Sequence, residues 1–139
     1  MKSFLLLLSR IFLASVFIYE AYDSIVRFEE TKQTMAAYGI TWQPNTLLAL
    51  TIVGLIVGSI FLIIGYRVSL ASTILIAYLL PVTLIVYSFW NDPMPQRQIH
   101  LLYFVKNIAI VGGLISIGVH GPGRWSIRRV LDVQRAPLW

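Results

Sequence analysis

Glu20, Asp23, His100, Lys106 and Asn107 are the side chains of this 139-residue sequence best placed to do chemistry. All five lie within or at the edge of long apolar runs. An ionisable group inside such a run costs about 2.5–3.5 kcal/mol to insert in a bilayer, so it is either partnered or used. Glu20 and Lys106 fall at similar depths, about 9 Å and about 12 Å from the same side at 1.5 Å per residue. Their spacing predicts that they pair. Asp23 precedes Arg27 by four residues, the favourable order for an ion pair on a helix. Asn107 follows His100 by seven residues, nearly on one helix face, with Tyr103 and Phe104 beside it. Together the five form a candidate polar patch with two readings. One is a pocket for a small ligand or a quinone headgroup, or a proton relay. The other is structural: Glu20 and Lys106 neutralise each other, and Asn107 bonds a neighbouring helix in a contact worth about 0.6 kcal/mol. Arg10 lies toward the opposite side with no acid at its depth, and snorkelling toward lipid phosphates is its expected behaviour.

Much chemistry is excluded. The chain has no cysteine, which removes disulfides, thiol redox reactions, Cys-ligated zinc and iron–sulfur clusters. His100 and His120 are the only histidines. Twenty residues of helix would hold them about 30 Å apart, too far to share a haem. No Asp, Glu or His set has metal-ligand spacing, so no metal site is expected. No glycine-rich loop joins a strand to a helix, and no nucleophile sits in an elbow or triad context. No catalytic residues are assigned.

The elements that must position the patch follow from composition. The sequence is 58% apolar and 12% charged, where a soluble domain runs about 45–50% and about 25%. That is too little charge to cover a water-facing surface. About 20 apolar residues cross the hydrocarbon of a bilayer as a helix, and residues 4–26, 46–66, 68–91 and 98–119 each suffice. No run alternates with the period of a barrel strand. The fold class is therefore all-α, an integral membrane four-helix antiparallel bundle. The first run resembles a leader, but Arg10 interrupts it and no small-x-small cleavage site follows, so a retained span is expected.

Arg67 alone separates the second and third spans, which makes them antiparallel neighbours. In the first long loop, residues 29–38 favour a helix that Gly39 would stop, ahead of a break at Pro44. Residues 92–95, Asp-Pro-Met-Pro, read as a restricted turn. Tyr38, Trp42, Phe89 and Trp90 suit a membrane interface. Gly54 and Gly58 form a small-xxx-small face for helix packing, and Gly112 and Gly113 are assigned to packing as well. Pro81 removes the bond to the Ala77 carbonyl and should kink the third helix, a kink tolerated where neighbours or Thr83 satisfy that oxygen.

Seven basic residues (Lys2, Arg10, Arg67, Arg124, Arg128, Arg129 and Arg135) fall on the side of the two termini, and three (Arg27, Lys32 and Arg97) on the other. The positive-inside rule then places both termini in the cytoplasm. The net charge of +5 is a topology and lipid-headgroup signal, with no nucleic-acid footprint. Residues 1–123 make the membrane domain. Residues 124–139 read as a basic amphipathic cytoplasmic tail, with Arg128, Arg129, Asp132 and Arg135 on one face and Ile127, Val130, Leu131 and Val133 on the other.

Several short motifs carry a resemblance. They are Arg10-Ile-Phe-Leu-Ala, Tyr38-Gly-Ile, Gly65-Tyr-Arg, Phe89-Trp90, Lys106-Asn-Ile-Ala-Ile-Val-Gly-Gly113 and Gly121-Pro-Gly-Arg-Trp-Ser126. In this order the chain resembles the DoxX family of small four-helix bacterial membrane proteins, over residues 9–127. The family's usual Gly-x-x-Lys at the end of the first span is here Ala21-Tyr-Asp-Ser24, and a histidine common before the Phe-Trp pair is Tyr87. The resemblance implies a multi-pass protein of the bacterial cytoplasmic (inner) membrane. Its implied role is a non-catalytic accessory subunit of a quinone-linked redox complex. Other subunits of that complex, or a second copy, would be partners beside the bilayer. No cofactor is implied beyond contact with a quinone. The alternatives are a small-molecule or lipid carrier and a purely structural or assembly protein.

Overall fold

The computed structural model describes residues 1–123 and Ser126. Five helices occupy them: α1 (Lys2–Val26), α2 (Phe28–Ala37), α3 (Pro44–Ile64), α4 (Val68–Ile85) and α5 (Gln96–His120). Four apolar helical stretches are long enough to cross a bilayer: α1, α3, α5, and α4 extended to Asn91. The fold is all-α, and no described residue lies in a strand. The amphipathic tail expected at residues 124–139 lies outside the described residues, apart from Ser126.

Local sequence sets the helix limits. α3 begins on Pro44, whose missing N–H is no loss in a first turn. It ends at Gly65, whose φ of +72° suits a residue without a side chain. Arg67, also at positive φ, opens α4 directly, so the turn between α3 and α4 is three residues long. α2 stops as expected at Tyr38 and Gly39. There the Ile40 amide donates back to the Met35 carbonyl at 2.9 Å, and Gly39 takes a φ of +83°. α4 ends at Ile85, short of the expected residue 91. Phe89–Asn91 forms a separate 3-10 turn leading into the Pro-rich connection.

α1 packs on α3, α3 on α4 and α4 on α5, while α1 and α5 meet only sparingly. The termini of the bundle and the α3–α4 turn share one side, called here the terminal side. The α1–α3 and α4–α5 connections share the other, the loop side. The core is built at three- and four-residue spacing from Ala14, Phe17 and Ala21 on α1, Leu75 and Leu79 on α4, and Leu114 and Ile117 on α5. The outward faces are apolar too: Phe12, Tyr22, Leu50, Leu102 and Val119 are each more than half exposed. In water that surface would aggregate, whereas hydrocarbon is its natural solvent.

The packing glycines divide. A Cβ on Gly58 would come within 2.9 Å of Leu75 Cδ2, so α3 and α4 approach closely there. Gly54 and Gly113 make ordinary contacts, with Ile74 and Leu13 respectively. Gly112 departs from the expectation. A Cβ there would meet nothing within 4 Å, because the residue faces away from its neighbours. The sequence reading missed Gly118, against which Ser72 packs and whose carbonyl accepts from the Ser69 hydroxyl at 2.9 Å. Pro81 lies inside α4, and Thr83 donates to the Leu79 carbonyl at 2.6 Å, not to Ala77.

Candidate functional site

The loop-side half of the bundle gathers ionisable and aromatic side chains from four elements. α5 presents His100, Tyr103 and Lys106 on successive turns, three residues apart. The His100 Nδ1–H donates to the Asp92 carboxylate at 2.5 Å, tying α5 to the proline-rich turn. Tyr87, just past the end of α4, stacks on Tyr103 with ring centres 5.1 Å apart and meets His100 edge-on at 5.7 Å. The Lys106 ammonium lies over the other end of the ladder, 4.6 Å from the Tyr103 ring centre. Such a contact is worth about 0.5–1 kcal/mol where exposed.

α1 completes the cluster. Glu20 is half-buried, with Tyr78 on α4 among the groups in its surroundings. Lys106 and Asp23 act on it electrostatically. Tyr87 thus bridges His100 and Tyr103 on α5. The Tyr38 hydroxyl, at the end of α2, donates to the Val86 carbonyl at 3.2 Å and fixes the interfacial helix over the end of α4. Phe89, Trp90 and Phe104 pack edge-to-face beside it, with centroids 5.3 to 6.2 Å apart.

The five sequence-assigned residues are therefore brought to one half of the bundle. Among the described residues Glu20 and Lys106 form no contact ion pair, and the Lys106 ammonium lies over Tyr103. Asp23 pairs with Arg27 at 2.7 Å, as the spacing predicts. Asn107 points into the bundle and donates to the Thr83 hydroxyl at 3.0 Å. Tyr78, Tyr87 and Asp92 complete the cluster and were not among the five. Their signal was present, as two tyrosines inside an otherwise apolar run and an acid directly before a proline, but no spacing rule links them to α5.

Arg10 corrects the snorkelling expectation. It is only 1% exposed, with its Nε–H donating to the Leu6 carbonyl at 3.3 Å. Its guanidinium occupies the space a side chain at residue 65 would need, beneath the α3–α4 turn and next to Ser126. That is the negative end of the α3 dipole, where a cation gains about 0.3–2 kcal/mol.

Chemically, the loop-side cluster offers phenolic and imidazole hydrogen-bonding groups, one ammonium and two stacked rings. That equipment suits binding a flat, carbonyl-bearing group. Among the described residues no group of three His, Asp or Glu side chains could hold a metal.

A small multi-pass helical membrane protein with a polar, aromatic patch at one end is the class these features define. The chain belongs to the DoxX family, whose profile matches residues 5–88. It is 26% identical to the inner membrane protein YphA of Escherichia coli over 125 residues, 90% of this chain and 89% of the relative. To the inner membrane protein YqjF of the same organism it is 26% identical over 126 residues, 91% of each. A Surfeit locus protein 4 homolog of Drosophila melanogaster is 30% identical over 127 residues, 88% of this chain but 39% of that longer protein. No solved structure matches it. With four apolar spans and these relatives, the protein is a multi-pass protein of the bacterial inner membrane.

Proposed function

We propose that the protein is a non-catalytic accessory subunit of a membrane redox assembly, contributing the loop-side cluster as a contact surface for a quinone headgroup. The observation that carries this reading is the Tyr87–Tyr103 stack, flanked by His100 and Lys106. A quinone ring is flat, apolar on its faces and accepts hydrogen bonds at its two carbonyls. Aromatic faces and polar donors at the edge of the hydrocarbon match each of those properties. Tyr87, Tyr103, His100 and Lys106 would hold the headgroup, and the exposed apolar helix faces would take the isoprenoid tail. Electron transfer would belong to partner subunits.

Purification from native membranes in mild detergent tests the assignment. Co-purifying subunits with flavin, haem or iron–sulfur absorbance are the expected result. A lone oligomer that moves solute across liposomes would establish the carrier class instead. A lone species with neither property would leave a structural or assembly role.

A further inference from the structure

The sparse contact between α1 and α5 leaves a groove of about 310 Å³ in the terminal-side half of the bundle, far from the quinone-contacting cluster. One wall is Leu6, Ser9 and Leu13, and the other is Gly113, Ser116 and Ile117, with His120 at the foot. Residues 6 to 13 make the groove about 10 Å long at 1.5 Å per residue, and its volume is at the lower limit for a small-ligand site. It is lined mostly by apolar atoms and opens sideways, toward hydrocarbon.

Its foot carries a cation. Lys2 is one turn before Leu6, so it falls on the same helix face as Leu6, Ser9 and Leu13, at the terminal-side mouth. The Nδ1–H of His120 donates to the Ser116 carbonyl at 2.7 Å, which fixes the ring on the opposite wall. The first turn of α1 has no side-chain cap, so its free amides add positive potential at the same level. Among the described residues nothing acidic lies in either wall. We propose that the groove holds one acyl chain of an anionic phospholipid from the terminal-side leaflet, with its phosphate at Lys2 and the start of α1. An apolar slot ending in a cation at headgroup depth is the shape and charge such a lipid requires. A neutral partner helix would gain nothing from that foot.

Native mass spectrometry of the full chain, released from nanodiscs of equal phosphatidylglycerol and phosphatidylcholine, tests this. The wild type should keep one phosphatidylglycerol per chain. Gly113→Leu, which fills the groove, should lose it, while Gly112→Leu, one residue away in open space, should keep it. Lys2→Gln should bind phosphatidylglycerol and phosphatidylcholine alike. Should Gly113→Leu fail to fold, Ser116→Leu blocks the same slot one turn on. Equal retention by the filled variants and the wild type, or no headgroup preference in the wild type, would overturn the proposal. So would a dimer that Gly113→Leu dissolves, which would show a second copy in place of the lipid.

Discussion

Asn107 on α5 donates its side-chain amide N–H to the Thr83 hydroxyl on α4 at 3.0 Å, and the Thr83 hydroxyl in turn donates to the Leu79 carbonyl at 2.6 Å. Both side chains are buried, so the amide and the hydroxyl form a short polar chain inside an apolar core. Thr83→Val leaves the amide without its acceptor, and Asn107→Leu removes the donor. Each should destabilise the bundle by about 1–3 kcal/mol, the cost of stranding a buried polar group. The double variant should lose less than the sum, by about 0.6 kcal/mol and at most about 1.7. Strict additivity of the melting shifts in detergent would show that the bond contributes nothing.

Glu20 and Lys106 share the loop-side half of the bundle without a contact ion pair. Their coupling should therefore be a weak, through-space one. A double-mutant cycle, Glu20→Gln with Lys106→Met, measures it in detergent melts. It should fall below about 0.5 kcal/mol, the lower end for groups in contact. A larger coupling would restore the ion pair expected from depth alone.

Gly58 and Gly112 should respond oppositely to alanine. At Gly58 the new methyl meets the fully buried Leu75, which has nowhere to retreat. Overpacking of that kind costs about 1–3 kcal/mol. At Gly112 the space is open, and the better helix propensity of alanine should raise stability by up to about 1 kcal/mol. Thermal melts of the two variants in one detergent decide the matter.

Gly65→Ala should be the most damaging single methyl in the protein. The residue has a φ of +72°, and its Cβ would overlap the Arg10 guanidinium. The backbone conformation alone costs about 1–2 kcal/mol for a residue with a side chain. Arg10→Leu in the same chain should relieve the steric part and recover some of the loss. A double variant no better than the sum of both singles would separate Arg10 from the turn.

Much of the architecture was legible because single-residue chemistry dictates it. The stop at Gly39 and the break at Pro44 follow from backbone properties, and the spans follow from apolar length, although α3 starts at Pro44 and ends at Ile64 where residues 46 and 66 were expected. The patch was legible in part. Its ionisable members stand out against hydrocarbon, but partner choice is decided by side-chain direction, which depth arithmetic does not contain. Thus Glu20 was matched to the only cation at its level, while the Lys106 ammonium lies over the Tyr103 ring instead. Arg10 shows the same limit: no acid is near it in sequence, and its place beneath a helix C-terminus depends on a glycine 55 positions away.

Because the chain lacks cysteine, single cysteines placed in the loop of residues 92–97 and at residue 2 report topology without background. The orientation expected from the positive-inside rule predicts that the loop reacts with an impermeant thiol reagent in intact cells and residue 2 only after lysis. The opposite pattern would invert the orientation.

A quinone headgroup proposed to sit on the Tyr87–Tyr103 stack should be visible by fluorescence, since Trp90 packs on Phe104 beside the cluster. The purified, reconstituted protein is titrated with a short-chain benzoquinone while tryptophan emission is followed. Saturable quenching is expected in the wild type. Tyr87→Leu and Tyr103→Leu should each weaken it about tenfold, which corresponds to about 1.4 kcal/mol, with melting temperatures close to wild type. Quenching that rises without saturation, or that is the same in both variants, would contradict it.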